Sequence, residues 1–168
     1  MHESVDLGRR ALLRGSSNFT HVRTPPWAVA FDQFVDTCTR CGDCISVCPE
    51  SIIIRGSGGF PAIDFAQGAC TFCAACVNAC PAGALSQAVA PPWRQQASVG
   101  DSCLAKHGVY CQNCRDSCAA AAIAFPLSGH ACGVPSPRVD VDRCTGCGGC
   151  VATCPVDAIA VVAMAEAT

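Results

Sequence analysis

The amino-acid sequence predicts an α+β fold made of two tandem modules with short hairpins and short helices. Three observations lead to this prediction. The chain has 17 cysteines among 168 residues, and most of them stand in short runs with one repeated spacing. The runs come in two pairs, one in each half of the chain, so we interpret the sequence as a duplication of a duplication. Between the runs lie short β-prone segments bounded by glycine and proline, which is typical of hairpins.

Three of the runs have the spacing C-x2-C-x2-C-x3-C and are followed by proline. Their members are Cys38, Cys41, Cys44 and Cys48, then Cys70, Cys73, Cys76 and Cys80, and finally Cys144, Cys147, Cys150 and Cys154. Bacterial ferredoxins hold [4Fe–4S] clusters with this run, because each iron of the cluster takes one thiolate. The sequence therefore predicts two tandem two-cluster, or 2[4Fe–4S], bacterial ferredoxin-like modules.

The residues between the cysteines of a run are expected to turn tightly and to aim N–H groups at the cluster. Small residues suit such turns, and glycine reaches backbone angles that other residues resist. These positions hold Gly42, Asp43, Ala74, Ala75, Gly146, Gly148 and Gly149. The last cysteine of each complete run stands before proline, which is favoured at the first position of a helix, so we expect a helix to begin there.

The last cysteine of a run ligates the neighbouring cluster rather than its own. This crossing rule assigns one group of four cysteines to each cluster. The three groups are Cys38, Cys41, Cys44 with Cys80, then Cys70, Cys73, Cys76 with Cys48, and then Cys144, Cys147, Cys150 with Cys118. The cofactors predicted from the complete runs are thus three [4Fe–4S] clusters.

The remaining run is an altered copy. It keeps Cys111, Cys114 and Cys118. Gly108 stands where the first cysteine is expected, and Ala119 replaces the proline. Cys103 can take the missing place if residues 104–110 loop out. The prediction is a fourth cluster held by Cys103, Cys111, Cys114 and Cys154; the alternative is a half-site whose cysteines merely pack, since free cysteine is often buried.

The segments around the runs suggest the domain boundaries. The expected order is a basic N-terminal arm (1–30), a first module (31–90), a Pro/Gln-rich linker (91–98) and a second module (99–168). In the first module, residues 51–65 indicate a hairpin with its turn at 56–59, and a short strand begins at Ala84. Strands of the second module are expected within 122–125, 138–141 and 158–162.

Composition excludes several classes of protein. The net charge of −2 does not suit nucleic acid, which calls for a basic face. No apolar stretch is long enough for a transmembrane segment. The odd cysteine count argues against a disulfide framework, and zinc sites lack runs of this form. Without an acid–base pair or a nucleotide loop, the sequence favours a carrier or an assembly factor over an enzyme. Thiols that bind iron indicate a reducing compartment, the cytoplasm.

A few residues outside the runs also bear on function. Arg9 and Arg10 are similar to a twin-arginine export signal, but the polar stretch 15–23 follows where an apolar region is required, so we interpret the arm as a docking segment. Cys132 has no run around it and is expected to be a free thiol. His107 and His130 are not expected to be ligands.

The layout as a whole resembles the NapF family of ferredoxin-type proteins of periplasmic nitrate reductase systems. The resemblance rests on Arg9-Arg10, Pro25-Pro26-Trp27, Cys38-Thr39-Arg40-Cys41, Arg55-Gly56-x-Gly58-Gly59-x-Pro61, Gly100-Asp101-x-Cys103-Leu104-Ala105, Cys111-x2-Cys114-x-Asp116-Ser117-Cys118, Leu127-Ser128-Gly129 and Cys144-x-Gly146-Cys147-Gly148. It implies a cytoplasmic protein that helps mature the catalytic subunit of periplasmic nitrate reductase before export, through iron–sulfur assembly or redox priming. The implied partners are the precursor of that subunit and redox proteins. An electron-transfer subunit of an oxidoreductase complex is the alternative.

Overall fold

A computed structural model describes residues 23–127 and 133–164. Arg9, Arg10, Cys132 and His130 lie outside these ranges. The α-helices are α1 (Phe31–Thr37), α2 (Asp43–Ser46), α3 (Ala75–Asn78) and α4 (Asn113–Asp116), with 3-10 turns at Ser57–Gly59 and Leu104–His107. The strands are β1 (Ile53–Arg55), β2 (Pro61–Ile63), β3 (Gln95–Val99), β4 (Ile123–Ala124), β5 (Arg138–Val139) and β6 (Ile159–Ala163). The mixture of short helices and short strands is the one that the sequence predicts.

The strands form three antiparallel pairs in the described part of the chain. β1 and β2 form the expected hairpin, in which Ile53 stands opposite Ile63. β4 pairs with β5 through Ile123 and Val139, within the segments expected to be strands. β6 pairs along its whole length with β3, from Gln95 opposite Ala163 to Val99 opposite Ile159.

Strand β3 was not expected. It begins inside the stretch 91–98, which the sequence indicates as a linker. The N-terminal half of the chain has a smaller equivalent, an isolated bridge between Ala28 and Leu85. Leu85 is thus a bridge residue rather than part of a longer strand. Each half therefore closes by pairing a segment before its first run with a segment after its second.

Residues 23–30, expected to be part of the arm, are packed on the N-terminal half. The N–H of Ile63 donates to the carbonyl of Arg23 at 2.9 Å, and that of Val29 donates to the carbonyl of Ala84 at 3.1 Å. Pro25 and Pro26 are among the large side chains that are fully buried. Residues 23–30 therefore belong to the N-terminal half rather than to a separate arm.

The helices do not begin at the last cysteine of a run, as expected from the proline that follows it. α2, α3 and α4 each contain the third cysteine of a run and end before the fourth. Beyond Cys48, the N–H of Ser51 turns back to the Cys48 carbonyl at 3.1 Å, and Ser51 has φ 54°. A residue in the left-handed region ends a helix rather than continuing it. Pro49 accordingly starts a turn.

The core is small and contains cysteine. One buried cluster includes Phe34, Ile52 and Phe65 together with Cys44 and Cys76. A second cluster includes Ile123 and Ile159 together with Cys114 and Cys150. Among the residues that the structure describes, no polar or charged residue is buried. In the same ranges no helix is long and apolar enough to cross a membrane.

Candidate metal centres

Four cavities are each lined by four cysteines, and we name them sites A to D. The cavities hold about 360 Å³ (A), 340 Å³ (B), 350 Å³ (C) and 320 Å³ (D) of space, including their mouths. Site A has Cys38, Cys41, Cys44 and Cys80; site B has Cys48, Cys70, Cys73 and Cys76; site C has Cys118, Cys144, Cys147 and Cys150; site D has Cys103, Cys111, Cys114 and Cys154. These are the four groups that the crossing rule and the Cys103 substitution predict, so the fold brings each group together.

Each complete run has two residues in the left-handed region, one on either side of its second cysteine. The pairs are Arg40 and Gly42, Phe72 and Ala74, and Gly146 and Gly148, with φ between 55° and 91°. Small residues were expected between the cysteines. Three of these six positions hold a residue other than glycine: Ala74 is small, as expected, whereas Arg40 and Phe72 are large. A left-handed residue with a side chain costs about 1–2 kcal/mol.

Local packing accounts for two of these exceptions. The Arg40 guanidinium lies 4.3 Å from the centre of the Phe60 ring. The backbone carbonyl of Arg40 accepts a long hydrogen bond, 3.5 Å, from the Arg55 guanidinium. The Phe72 ring makes edge-to-face contacts with Trp27 at 6.3 Å and Trp93 at 5.6 Å. Aromatic pairs contribute about 0.5–1.5 kcal/mol each, so the two contacts of Phe72 offset its strain. A cation–π contact at an exposed site contributes about 0.5–1 kcal/mol, so at Arg40 it offsets part of the strain.

The turn after the fourth cysteine is repeated in all four runs. The third residue beyond it is left-handed each time, and its N–H points back at the carbonyl of the cysteine. These residues are Ser51, Gly83, Ala121 and Asp157, with φ of 54°, 70°, 47° and 49°. In the second half, a further N–H then donates to the cysteine sulfur itself, from Ala122 to Cys118 at 3.3 Å and from Ala158 to Cys154 at 3.2 Å. The altered run therefore keeps its turn although Ala119 replaces proline.

Site D differs in how its first cysteine is supplied. Cys103 immediately precedes the 3-10 turn Leu104–His107, which ends at Gly108 with φ 80°. Lys106 holds this turn by donating to the carbonyl of Val99 at 3.0 Å and to the carboxylate of Asp101 at 3.1 Å. His107 contacts the Asp101 carbonyl at 2.8 Å. Residues 104–110 thus loop out as the sequence requires, and the His107 ring is engaged with the backbone.

Burial raises the pKa of the third cysteine in every run. The pKa of the Cys44, Cys76 and Cys114 thiols rises to about 11 and that of Cys150 to about 12, first because burial disfavours the thiolate. Neighbouring thiols add to this effect. These four thiols therefore hold their protons at neutral pH in the absence of metal, and a metal must displace those protons.

The same charge interactions show which cavities adjoin. Cys44 of site A is affected by Cys76 of site B, Cys70 of site B by Cys147 of site C, and Cys150 of site C by Cys114 of site D. The pKa of Cys70 also rises to about 11, again mainly through burial. The sites thus neighbour one another in the order A, B, C, D.

The donor set fits an iron–sulfur cluster better than a single ion. In the described ranges, no three His, Cys, Asp or Glu side chains converge as a mononuclear metal site requires. In each site the cysteines instead surround a space, and the rest of the lining is mainly apolar, as with Ile52, Ile53 and Trp27 at site B. Thiolates are the soft ligands that Fe–S clusters take.

One feature of the sites has no signal in the spacing of the cysteines. Phe65, Trp93, Phe72 and Trp27 form a chain of edge-to-face ring contacts that runs past site B. Trp93 also donates from Nε1 to the carbonyl of Thr145, at 2.8 Å, in the fourth run. The only hint in the sequence was the presence of tryptophan in a polar stretch.

Comparison with known proteins gives consistent results. Residues 30–85 match the model of a 4Fe-4S dicluster domain, and residues 137–160 match that of a 4Fe-4S binding domain. The chain is 45% identical over 166 residues to the ferredoxin-type protein NapF of Haemophilus influenzae, covering 92% of this chain and 93% of the relative. It is 39% identical over 158 residues to NapF of Escherichia coli, covering 92% and 94%. It is also similar, at 30% identity over 177 residues, to the methylamine utilization ferredoxin-type protein MauM of Methylophilus methylotrophus, covering 92% and 75%.

Proposed function

The chain belongs to the NapF family of ferredoxin-type proteins, and we propose that it is a cytoplasmic poly-[4Fe–4S] protein that helps mature the catalytic subunit of periplasmic nitrate reductase. In this proposal it binds the precursor of that subunit before export. It supplies either electrons or cluster atoms to the precursor. Cytoplasmic action suits thiols that bind iron, since a reducing compartment keeps them from forming disulfides.

The grouping of sixteen cysteines around four cavities is the observation that supports the proposal most strongly. We propose that each group holds one [4Fe–4S] cluster, in two tandem two-cluster modules. A cluster held by thiolates carries one electron at a time, which is the chemistry of an electron carrier rather than of an enzyme that transforms a substrate. The backbone N–H groups of Ala122 and Ala158 at the Cys118 and Cys154 sulfurs would tune reduction potential.

A pull-down with the precursor of the nitrate reductase catalytic subunit tests the proposal. The loaded protein is compared with protein stripped of iron by a chelator and with the exported, mature subunit. We expect the loaded protein to retain the precursor and to release it once the subunit is mature. Equal retention of mature and precursor forms, or no retention of either, would count against a maturation role.

The alternative is an electron-transfer subunit of an oxidoreductase complex. The likeness to MauM keeps this alternative in view, because a relative named for methylamine utilization, and not for nitrate reductase, aligns with 92% of this chain. The two functions differ in the kind of complex formed. A stable one-to-one complex with an active enzyme, found by size-exclusion chromatography, would favour the alternative, whereas transient contact with a precursor favours maturation.

A further inference from the structure

We propose that a fixed contact between the two halves of the chain, residues 23–90 and 95–164, holds sites B and C side by side. The four sites then form one row, with A and D at its ends. The inference rests on the proposed cluster occupancy of the sites, and it adds a continuous path across the whole chain. Two separate two-cluster modules with a flexible link would provide no such path.

Within each half, the two sites are joined through the third cysteines of their runs. Cys44 of site A and Cys76 of site B belong to one buried cluster, and α2 packs against α3 there. Cys114 of site D and Cys150 of site C belong to the other buried cluster. Ser117 of the altered run lines site C and shares a 3.1 Å hydrogen bond with Thr153 of the fourth run. Sites A and B, and sites C and D, are therefore adjacent pairs.

Between the halves, the contact joins two predicted ligand residues directly. The backbone N–H of Cys70, in site B, donates to the carbonyl of Cys147, in site C, at 2.8 Å. No other residue stands between these two backbone groups. The inner sites are thus separated by a single hydrogen bond between their own cysteines.

The close approach depends on glycine at position 148. A methyl group there would overlap the ring of Phe65, which is 2% exposed and belongs to the N-terminal core. The corresponding position of the second run is Ala74, which also has positive φ, 60°. An alanine is therefore compatible with the cluster-binding loop itself. The glycine at 148 serves the contact between the halves.

Further contacts fix the orientation of the halves. Trp93, whose ring makes edge-to-face contacts with Phe65 and Phe72 of the first half, donates from Nε1 to the carbonyl of Thr145 at 2.8 Å. Arg23 donates to the carbonyl of Val161. The Val161 side chain is itself fully buried and packs in the N-terminal core, although it lies in β6. These contacts reach backbone carbonyls within the fourth run, at Thr145, and in β6, at Val161, so the halves cannot slide past one another without breaking them.

The chemistry that this row permits is simple. One electron enters from a one-electron donor at either end and leaves to a one-electron acceptor at the other, with no bond made or broken and no proton transferred. Adjacent paramagnetic centres also couple magnetically, whereas distant ones do not. The order of the sites can therefore be measured without a partner protein.

The first experiment isolates pairs of sites. Cys38→Ala/Cys41→Ala with Cys111→Ala/Cys114→Ala leaves only B and C, and Cys70→Ala/Cys73→Ala with Cys144→Ala/Cys147→Ala leaves only A and D. Each variant should bind about eight irons, four per cluster. After reduction with dithionite, EPR should show split or broadened, fast-relaxing signals for the B–C variant and two isolated signals for the A–D variant. Uncoupled B and C, or coupled A and D, would overturn the proposal.

The second experiment keeps all sixteen cysteines and opens the contact. Gly148→Ala should remove the B–C coupling while keeping about 16 irons and the coupling within each half. Gly148→Ala/Phe65→Ala should restore it, because the ring that the methyl group meets is gone. Gly83→Ala is the matched control, since Gly83 has φ 70° but nothing within 4 Å of an added methyl group; it should keep the B–C coupling.

Limited proteolysis gives a second measurement on the same variants that does not depend on the clusters. Cleavage within residues 87–92, between the halves, should be faster in Gly148→Ala but not in Gly148→Ala/Phe65→Ala or Gly83→Ala. Unchanged B–C coupling in Gly148→Ala, or a loss that Phe65→Ala does not restore, would refute the assigned contact. Failure of the row leaves precursor binding intact, and failure of the maturation role leaves the magnetic coupling intact. The two proposals are therefore tested separately.

Discussion

Replacing Cys80 by alanine should remove the iron of site A, although Cys80 follows the three cysteines of the second run. The reason is geometric: Cys80 lines the cavity of Cys38, Cys41 and Cys44, whereas Cys48 lines the cavity of the second run. A fully loaded chain would hold about 16 irons, and one lost cluster would leave about 12. Each single substitution has the same effect on total iron, so the single variants do not reveal which cluster is lost.

Double variants resolve this, because two substitutions in one site are not additive whereas two in different sites are. Cys38→Ala/Cys80→Ala should still bind about 12 irons, since both cysteines serve site A, and Cys38→Ala/Cys48→Ala should bind about 8, since two sites lose a ligand. The measurement is iron and sulfide analysis after anaerobic reconstitution, with EPR of the oxidised protein to detect any three-iron remnant. The opposite result, about 8 for the first pair and about 12 for the second, would mean that each run holds its own cluster.

Three further predictions concern site D, pH and backbone strain. A mild chelator should release about four of about 16 irons in a first, faster phase, because site D lacks the left-handed pair of the other runs and takes Cys103 from a separate turn. Cys103→Ala should abolish that phase. Uniform release of iron from the unaltered protein would contradict this prediction. The affinity of the sites for clusters should be higher at pH 9 than at pH 7. A pKa raised to about 11 keeps the Cys44 thiol protonated in the apo form, and ligation must release that proton. Chelator competition at the two pH values measures the affinity, and equal values would argue against this mechanism. Ala121→Gly should stabilise the loaded protein by about 0.5–1 kcal/mol in thermal unfolding, since Ala121 has φ 47°. Gly83→Ala should destabilise it by a similar amount, because Gly83 has φ 70°. No change in either variant would show that the turn carries no strain.

Much of this architecture follows from the sequence because its signals are local. The β1–β2 hairpin is confirmed within residues 51–65, where glycine occupies 56, 58 and 59, and β4 and β5 lie in segments expected to be strands. β6 begins and ends one residue later than the expected segment 158–162. The cavities group the cysteines as the spacing rule predicts. That these groups hold clusters remains a prediction. The spacing of the cysteines is enough to predict this grouping, because four ligands of one cluster must lie close together. The core is too small for its hydrophobic pattern to restrict the chain as strongly.

The features that could not be predicted depend on contacts between distant residues. β3 was not predicted as a strand, because residues such as Gln95 and Gln96 have weak strand propensity. Its strand conformation is stabilised by pairing with β6, which is distant in sequence. Arg40 and Phe72 adopt left-handed angles that their residue types disfavour, because Phe60, Trp27 and Trp93 pack on them from elsewhere in the chain. Nothing near Gly148 indicates that Phe65 lies against it. Tertiary packing overrides local preference at each of these points.

The thin core links folding to cluster binding. The third cysteine of every run is buried, so four thiols stand in the interior beside spaces of 320–360 Å³. Without metal, those thiols pack in the core but carry no charge, whereas ligation to iron would join segments that few other contacts join. When a site does not exist in the unfolded chain, the free energy of metal binding becomes free energy of folding. A partner that recognises the folded surface would therefore bind only the loaded protein, and one that recognises the sequence of residues 1–22 by itself would bind both forms. The pull-down with and without iron thus reports which part of this chain the precursor contacts.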